Sequence, residues 1–90
     1  MLDRLDSEVS DRVATLVRRI MGQRADVRPI AHDDDLRACG LTSLEVVSLM
    51  LSVETEFAVK IPERKMLPAN FRSIARITAL VGTLLHQPAD

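Results

Sequence analysis

The sequence predicts an all-α domain: a bundle of three main helices plus one short helix, with a long first loop. Three observations carry that prediction. Apolar residues recur at helical spacing in three separate segments. Hydrophobic residues make up 47% of the chain, yet it has two Phe and neither Trp nor Tyr. The core is therefore aliphatic, which suits helices better than sheets, where aromatic and β-branched residues are favoured. Hydroxyl residues also stand where two of the segments begin, as helix caps would. Ninety residues leave room for one domain, 1–90, with a core over about 5–85. A chain this small should hold about 5 kcal/mol of stability.

The first helix is expected from about residue 5 to 21. Leu5, Val9, Val13, Leu16, Val17 and Ile20 share a face. Asp3, Asp6 and Glu8 lie toward its start and Arg18 and Arg19 toward its end, the polarity a helix dipole favours. Gly22 is a natural stop. Residues 22–41 read as a loop with no sustained period, containing Pro29, three successive aspartates and Gly40. Val27, Ile30, Leu36 and Leu41 are placed to pin it to the core.

The second helix opens on Thr42-Ser43-Leu44-Glu45, a capping box, and runs to about Phe57. It carries two apolar stripes where a surface helix needs one. Val46, Leu49, Met50, Val53 and Phe57 form the first; Leu44, Val47 and Leu51 form the second, which begins beside Ser43. After Ile61-Pro62, residues 63–70 read as irregular with room for a short helical turn. Ser73 caps the last helix, with Ile74, Ile77, Leu80, Val81 and Leu84 on one face, to about Leu85. The tail 86–90 is expected to fray.

Charge is nearly balanced overall, with 12 bases and 13 acids, but it divides unevenly along the chain. Residues 33–57 hold six acids and one base, a net −5, and the remainder nets +4. Either one acidic surface is directed at a basic partner, or solvated charges cluster without purpose. The lone Cys39 excludes an internal disulfide and a cysteine-based zinc site. No stretch approaches a membrane span, and the opening Met-Leu-Asp-Arg lacks a signal-peptide apolar run. A cytoplasmic protein is expected.

Ser43 is the residue of chemical interest. It lies one position inside a capped helix start, so its hydroxyl should be accessible. A phosphodiester attached there would face unpaired backbone N–H groups and the positive helix end. No His or Lys is placed as its base and Gly-x-Ser-x-Gly is absent, so a catalytic role is not indicated. Spacing alone favours an ordinary serine in a first helical turn.

A wider set of residues resembles a known family. Gly40-Leu41-Thr42-Ser43-Leu44-Glu45, then Leu49, Glu54, Phe57 and Ile61-Pro62, is similar to the phosphopantetheine-attachment region of acyl and peptidyl carrier proteins. The usual pattern there is Gly-x-Asp-Ser-Leu, a helix ending in Glu-x-x-Phe, then Ile-Pro. Phe71-Arg72-Ser73-Ile74 resembles the family's Phe-x-Thr-Ile, and Asp35-Leu36 its loop Asp-Leu. The resemblance covers about residues 35–81 and implies an acyl-carrier-like bundle. It implies that Ser43 alone takes a covalent 4'-phosphopantetheine, and that the chain is not an enzyme but carries an acyl or aminoacyl group as a thioester. Leu44, Val47 and Leu51, with Glu54, would face partners, and Leu49, Met50, Val53 and Phe57 would be core. The implied partners are a phosphopantetheinyl transferase, an acyl- or aminoacyl-activating ligase and downstream transferases, acting on a monomer.

Three positions depart from the pattern. Thr42 stands where the family usually has Asp, which helps hold the transferase's metal; the cap survives and a charge is lost. Ser48 and Thr55 stand where fatty-acid carriers often have Glu, so docking should depend more on apolar contact. The Gly-Leu-Thr-Ser start, the Leu49-Met50-Leu51 run and the longer segment between Pro62 and Phe71 are similar to small stand-alone aminoacyl carrier proteins, which are loaded by truncated relatives of seryl-tRNA synthetase.

Other readings are weaker. A DNA-binding module needs Arg, Lys, Asn or Gln on its recognition helix, and residues 42–59 contain none. A cofactor-free helical adaptor would share the apolar stripe and lack only the arm. Asp33-Asp34-Asp35 lacks the alternation and glycine of a calcium loop. His32 and His86 stand alone, and Cys39 is expected to be a small, buried or half-buried loop residue.

Overall fold

The computed structural model describes residues 4–22 and 30–86, with side chains in the first helix from residue 7 onward. Helices α1 (Arg4–Met21), α2 (Ser43–Phe57) and α3 (Ile74–His86) are joined, between α2 and α3, by two 3-10 turns at Glu63–Lys65 and Pro68–Phe71. The short helix expected after Ile61-Pro62 is thus two separate turns, divided by Met66 and Leu67. Pro68 opens the second, at a position where its missing N–H costs nothing. Helix α3 extends one residue past the expected end, through His86; residues 87–90 lie outside the described set, as do Val27, Pro29 and the side chains of Leu5, Asp3 and Asp6.

Helix α1 packs against both α3 and α2. Its stripe is buried as its periodicity requires: Val9, Val13, Leu16 and Val17 are in the core, joined by Ala14 and Met21, while Ile20 is half-buried. Gly22 ends the helix at φ +59°, with its N–H donated to the Arg18 carbonyl at 2.8 Å. That left-handed conformation is the one glycine adopts without a Cβ penalty.

The described part of the first loop, residues 30–41, is more ordered than its lack of period implied. Leu36 and Leu41 are fully buried and Ile30 partly so. Between them the chain makes one hydrogen-bonded turn: Cys39 N–H donates to the Leu36 carbonyl at 3.1 Å and Leu41 N–H to the same carbonyl at 2.9 Å. Asp35 caps that turn, its Oδ1 accepting from Arg37 N–H at 3.0 Å. The loop is also tied to the start of α3. Leu36 N–H donates to the Arg72 carbonyl at 2.8 Å, and Ala75 N–H to the His32 carbonyl at 3.0 Å. Ser73 caps α3 as expected, its Oγ accepting from Arg76 N–H at 3.1 Å.

Helix α2 is clamped at its far end by Arg12 of α1. The guanidinium donates to Glu56 Oε2 at 2.8 Å and to the Glu56 carbonyl at 2.7 Å, and lies 4.5 Å from the Phe57 ring centroid. One cation thereby satisfies a terminal carbonyl and covers an aromatic face. The next residue, Ala58, holds the left-handed cap at φ 53°. A non-glycine residue there costs about 1–2 kcal/mol, and glycine's extra unfolded-state entropy returns about 0.4–1 kcal/mol of any gain. Ala58→Gly is therefore expected to stabilise the protein by about 0.5–1 kcal/mol. Urea unfolding checks this: the midpoint should rise at constant slope, and a lower midpoint would contradict the assigned strain.

Candidate functional site

The start of α2 is a complete capping box. Thr42, extended at φ −81° and ψ 165°, accepts at Oγ1 from Glu45 N–H at 3.1 Å, and Glu45 Oε1 accepts from Thr42 N–H at 2.9 Å. Leu41 and Val46, on either side of the box at the positions of a hydrophobic staple, are both buried in the one core cluster. The staple was readable in the sequence from its spacing but was not among the expected features. Together these contacts fix where the helix begins, and so where Ser43 stands.

Ser43 is the first helical residue and is exposed. Among the described residues nothing accepts from the N–H of Ser43 or Leu44, and nothing bonds the Ser43 hydroxyl. Two outward N–H donors at a positive helix end suit a phosphodiester on the adjacent hydroxyl. The same surroundings do not activate the serine as a nucleophile, because no base touches it. No cluster of His, Cys, Asp or Glu able to hold a metal ion occurs among the described residues. Losing the Thr42 hydroxyl should cost about 1 kcal/mol. Thr42→Asp should keep the cap and Thr42→Ala should not; equal stability of the alanine variant in urea would remove the capping argument.

The two stripes of α2 separate cleanly. Leu49 and Val53 are 0% exposed, and Val46, Met50 and Phe57 are buried with them. Leu44, Val47 and Leu51 are 81%, 51% and 56% exposed. At about 100° per residue these sets fall on different faces of the helix. Leu67, between the 3-10 turns, is a further exposed apolar residue that the sequence reading did not single out. Ser48 and Thr55, exposed, and Ser52, half-buried, flank the stripe.

Glu54, expected with the partner-facing residues, is half-buried and has a structural partner: its Oε2 accepts from Ile61 N–H at 2.8 Å. Its carbonyl also receives the N–H groups of Ala58 and Val59. Glu54 holds the chain reversal after α2, which is a structural task. Cys39 is half-buried as expected. His32 is not isolated: its Nδ1 lies 3.1 Å from the buried Ser10 hydroxyl.

The chain matches the family model described as a phosphopantetheine attachment site over residues 11–81. It belongs to that family. Two relatives agree. It is 38% identical over 84 residues to aminoacyl carrier protein 1 of Bradyrhizobium diazoefficiens, an overlap of 93% of this chain and 92% of the relative. It is 34% identical over 73 residues to aminoacyl carrier protein 2 of the same organism, covering 81% and 82%. No solved structure matches. The protein is thus a helical carrier protein whose prosthetic group is 4'-phosphopantetheine, and it works with modifying and activating enzymes rather than catalysing. That decides against a cofactor-free adaptor. A DNA-reading α2 is disfavoured by the helix itself, which contains no Arg or Lys. No helix among the described residues is long and apolar enough to cross a membrane.

Proposed function

We propose that this carrier bears its arm on Ser43 and that its cargo is an amino acid. The observation that carries the first part is the exposed Ser43 hydroxyl at a capped helix start, beside the uncommitted N–H groups of Ser43 and Leu44. The arm's thiol, once attached, holds cargo as a thioester. The residues of the chain anchor and present it: Thr42 and Glu45 fix the helix start, and Leu44, Val47 and Leu51 form the face that partner enzymes grip. The names of the two relatives support the aminoacyl cargo. In this reading a phosphopantetheinyl transferase attaches the arm, a separate ligase loads it, and downstream transferases unload it. The carrier acts as a monomer. We place the cycle in the cytoplasm, which the single reduced Cys39 fits.

Intact mass spectrometry tests this in two steps. Incubation with coenzyme A and a phosphopantetheinyl transferase should add one arm. Adding ATP, an amino acid and a ligase that forms aminoacyl adenylates should then add one aminoacyl group, released by hydroxylamine. Loading by a fatty acyl ligase with no loading by any amino acid would overturn the cargo and leave the arm standing.

A further inference from the structure

Helices α1 and α2 leave a shallow groove between them, lined by Leu16, Arg19, Leu51, Ser52, Thr55 and Glu56. Its volume is about 270 Å3, below the roughly 300–1,000 Å3 of small-molecule pockets, so a side chain of a docked protein suits it better than a free ligand. Buried Leu16 forms the floor and exposed Leu51 part of the rim. The two charges in the groove are not equivalent. Glu56 is held by Arg12, which donates to its carboxylate and to its carbonyl. Arg19 stands two helical turns beyond Arg12, on the same side of α1, and is exposed. Among the described residues no acid pairs with it. With Glu56 balanced by Arg12, the groove is left with one uncompensated cation.

The groove lies close to Ser43. Leu51 is eight residues further along α2, about 12 Å along the helix axis. Enzymes that act on the cargo meet the far end of the arm, so Ser43 does not fix where they touch the protein. A phosphopantetheinyl transferase must instead bring its own reacting centre to the Ser43 oxygen. An interface of standard size covers about 800 Å2 per partner, a disc of roughly 16 Å radius. Centred on Ser43, such a disc reaches the Leu51 end of the groove. A neutral surface closing over it would take Arg19 out of water without a partner, and a basic one would repel it. A carboxylate would pair with the guanidinium.

We infer that the transferase docks on α1 as well as α2 and sets an acidic side chain against Arg19. This rests on the carrier reading with Ser43 as acceptor, and adds to it a contact residue on another helix and the charge of the partner there.

The test is arm transfer from saturating coenzyme A by the phosphopantetheinyl transferase of the same organism. Arg19→Glu should lower kcat/KM for the carrier about tenfold and Arg19→Gln about threefold, with kcat at saturating carrier unchanged. Arg18 is also exposed but lies about 100° round the helix, off the groove, and Arg18→Glu should stay within about twofold of the parent. At about 500 mM NaCl the deficit of Arg19→Glu should shrink to about threefold or less. All three side chains replaced are exposed, so the circular dichroism melts should match the parent's. Arg19→Gln keeps the test readable if an acid near the helix end melts early. A parent-like or faster Arg19→Glu, with Arg19→Gln also unimpaired, would overturn the inference. An equal loss in Arg18→Glu would overturn it too, by showing long-range steering in place of a contact at the groove. In both cases the arm is still attached and the carrier reading stands. A parent protein that takes up no arm would fell the carrier reading, and the inference with it.

Discussion

Leu49→Asp and Val53→Asp are expected to unfold the domain, and Val47→Asp to leave it folded but poorly served by its partners. Leu49 and Val53 are completely buried among helices α1, α2 and the turn that carries Phe71. Removing such an aliphatic side chain costs about 2–5 kcal/mol, and a carboxyl without partners adds about 1–3 kcal/mol more. Against a total of about 5 kcal/mol for a chain of this size, the folded state should not survive at room temperature. Val47 differs by one observation, its 51% exposure on the other face of the same helix. An acid there should change stability by no more than about 0.5 kcal/mol. It should nevertheless lower kcat/KM for arm transfer about tenfold, since it sets a charge in an apolar contact. Circular dichroism melts beside the transfer assay separate the two outcomes. If Val47→Asp melts as early as Leu49→Asp, the stripe belongs to the core and the partner surface lies elsewhere.

The helices were legible because each is long enough to show its period and is marked at its ends. Gly22, Thr42 with Glu45, and Ser73 each do in the structure what their residue types imply. The surplus stripe was legible for the same reason, since one helix in a small bundle cannot bury two faces. The ordered turn at 36–40 was not, because a single turn has no repeat to detect; Asp35 at its start was the available signal. The role of Glu54 was hidden by a different cause. Its place in Glu-x-x-Phe was plain, but the donor it meets appears only when the chain reverses at Ala58 and returns Ile61 to it. Glu56 meets Arg12 across 44 positions, a pairing that packing alone creates. The partners of the acidic stretch's carboxylates lie in backbone turns and on another helix, where charge counted along the sequence does not show them.

The loss with the largest expected effect on function is that of one oxygen atom. Ser43→Ala keeps the helix start, since the cap belongs to Thr42 and Glu45 and the Ser43 hydroxyl bonds nothing among the described residues. Alanine is also a better helix former than serine, so the variant should be at least as stable as the parent. Yet it removes the proposed point of attachment entirely. The neighbouring Thr42 hydroxyl is a built-in control: it is adjacent in sequence, but its oxygen is occupied by Glu45 N–H at 3.1 Å. Fragmentation mass spectrometry of the peptide spanning residues 38–60, after treatment with coenzyme A and a phosphopantetheinyl transferase, discriminates the two. The phosphopantetheine mass should sit on Ser43 in the parent and be absent from every residue of Ser43→Ala. Its appearance on Thr42, or anywhere on the Ser43→Ala protein, would contradict the assignment of the arm to Ser43.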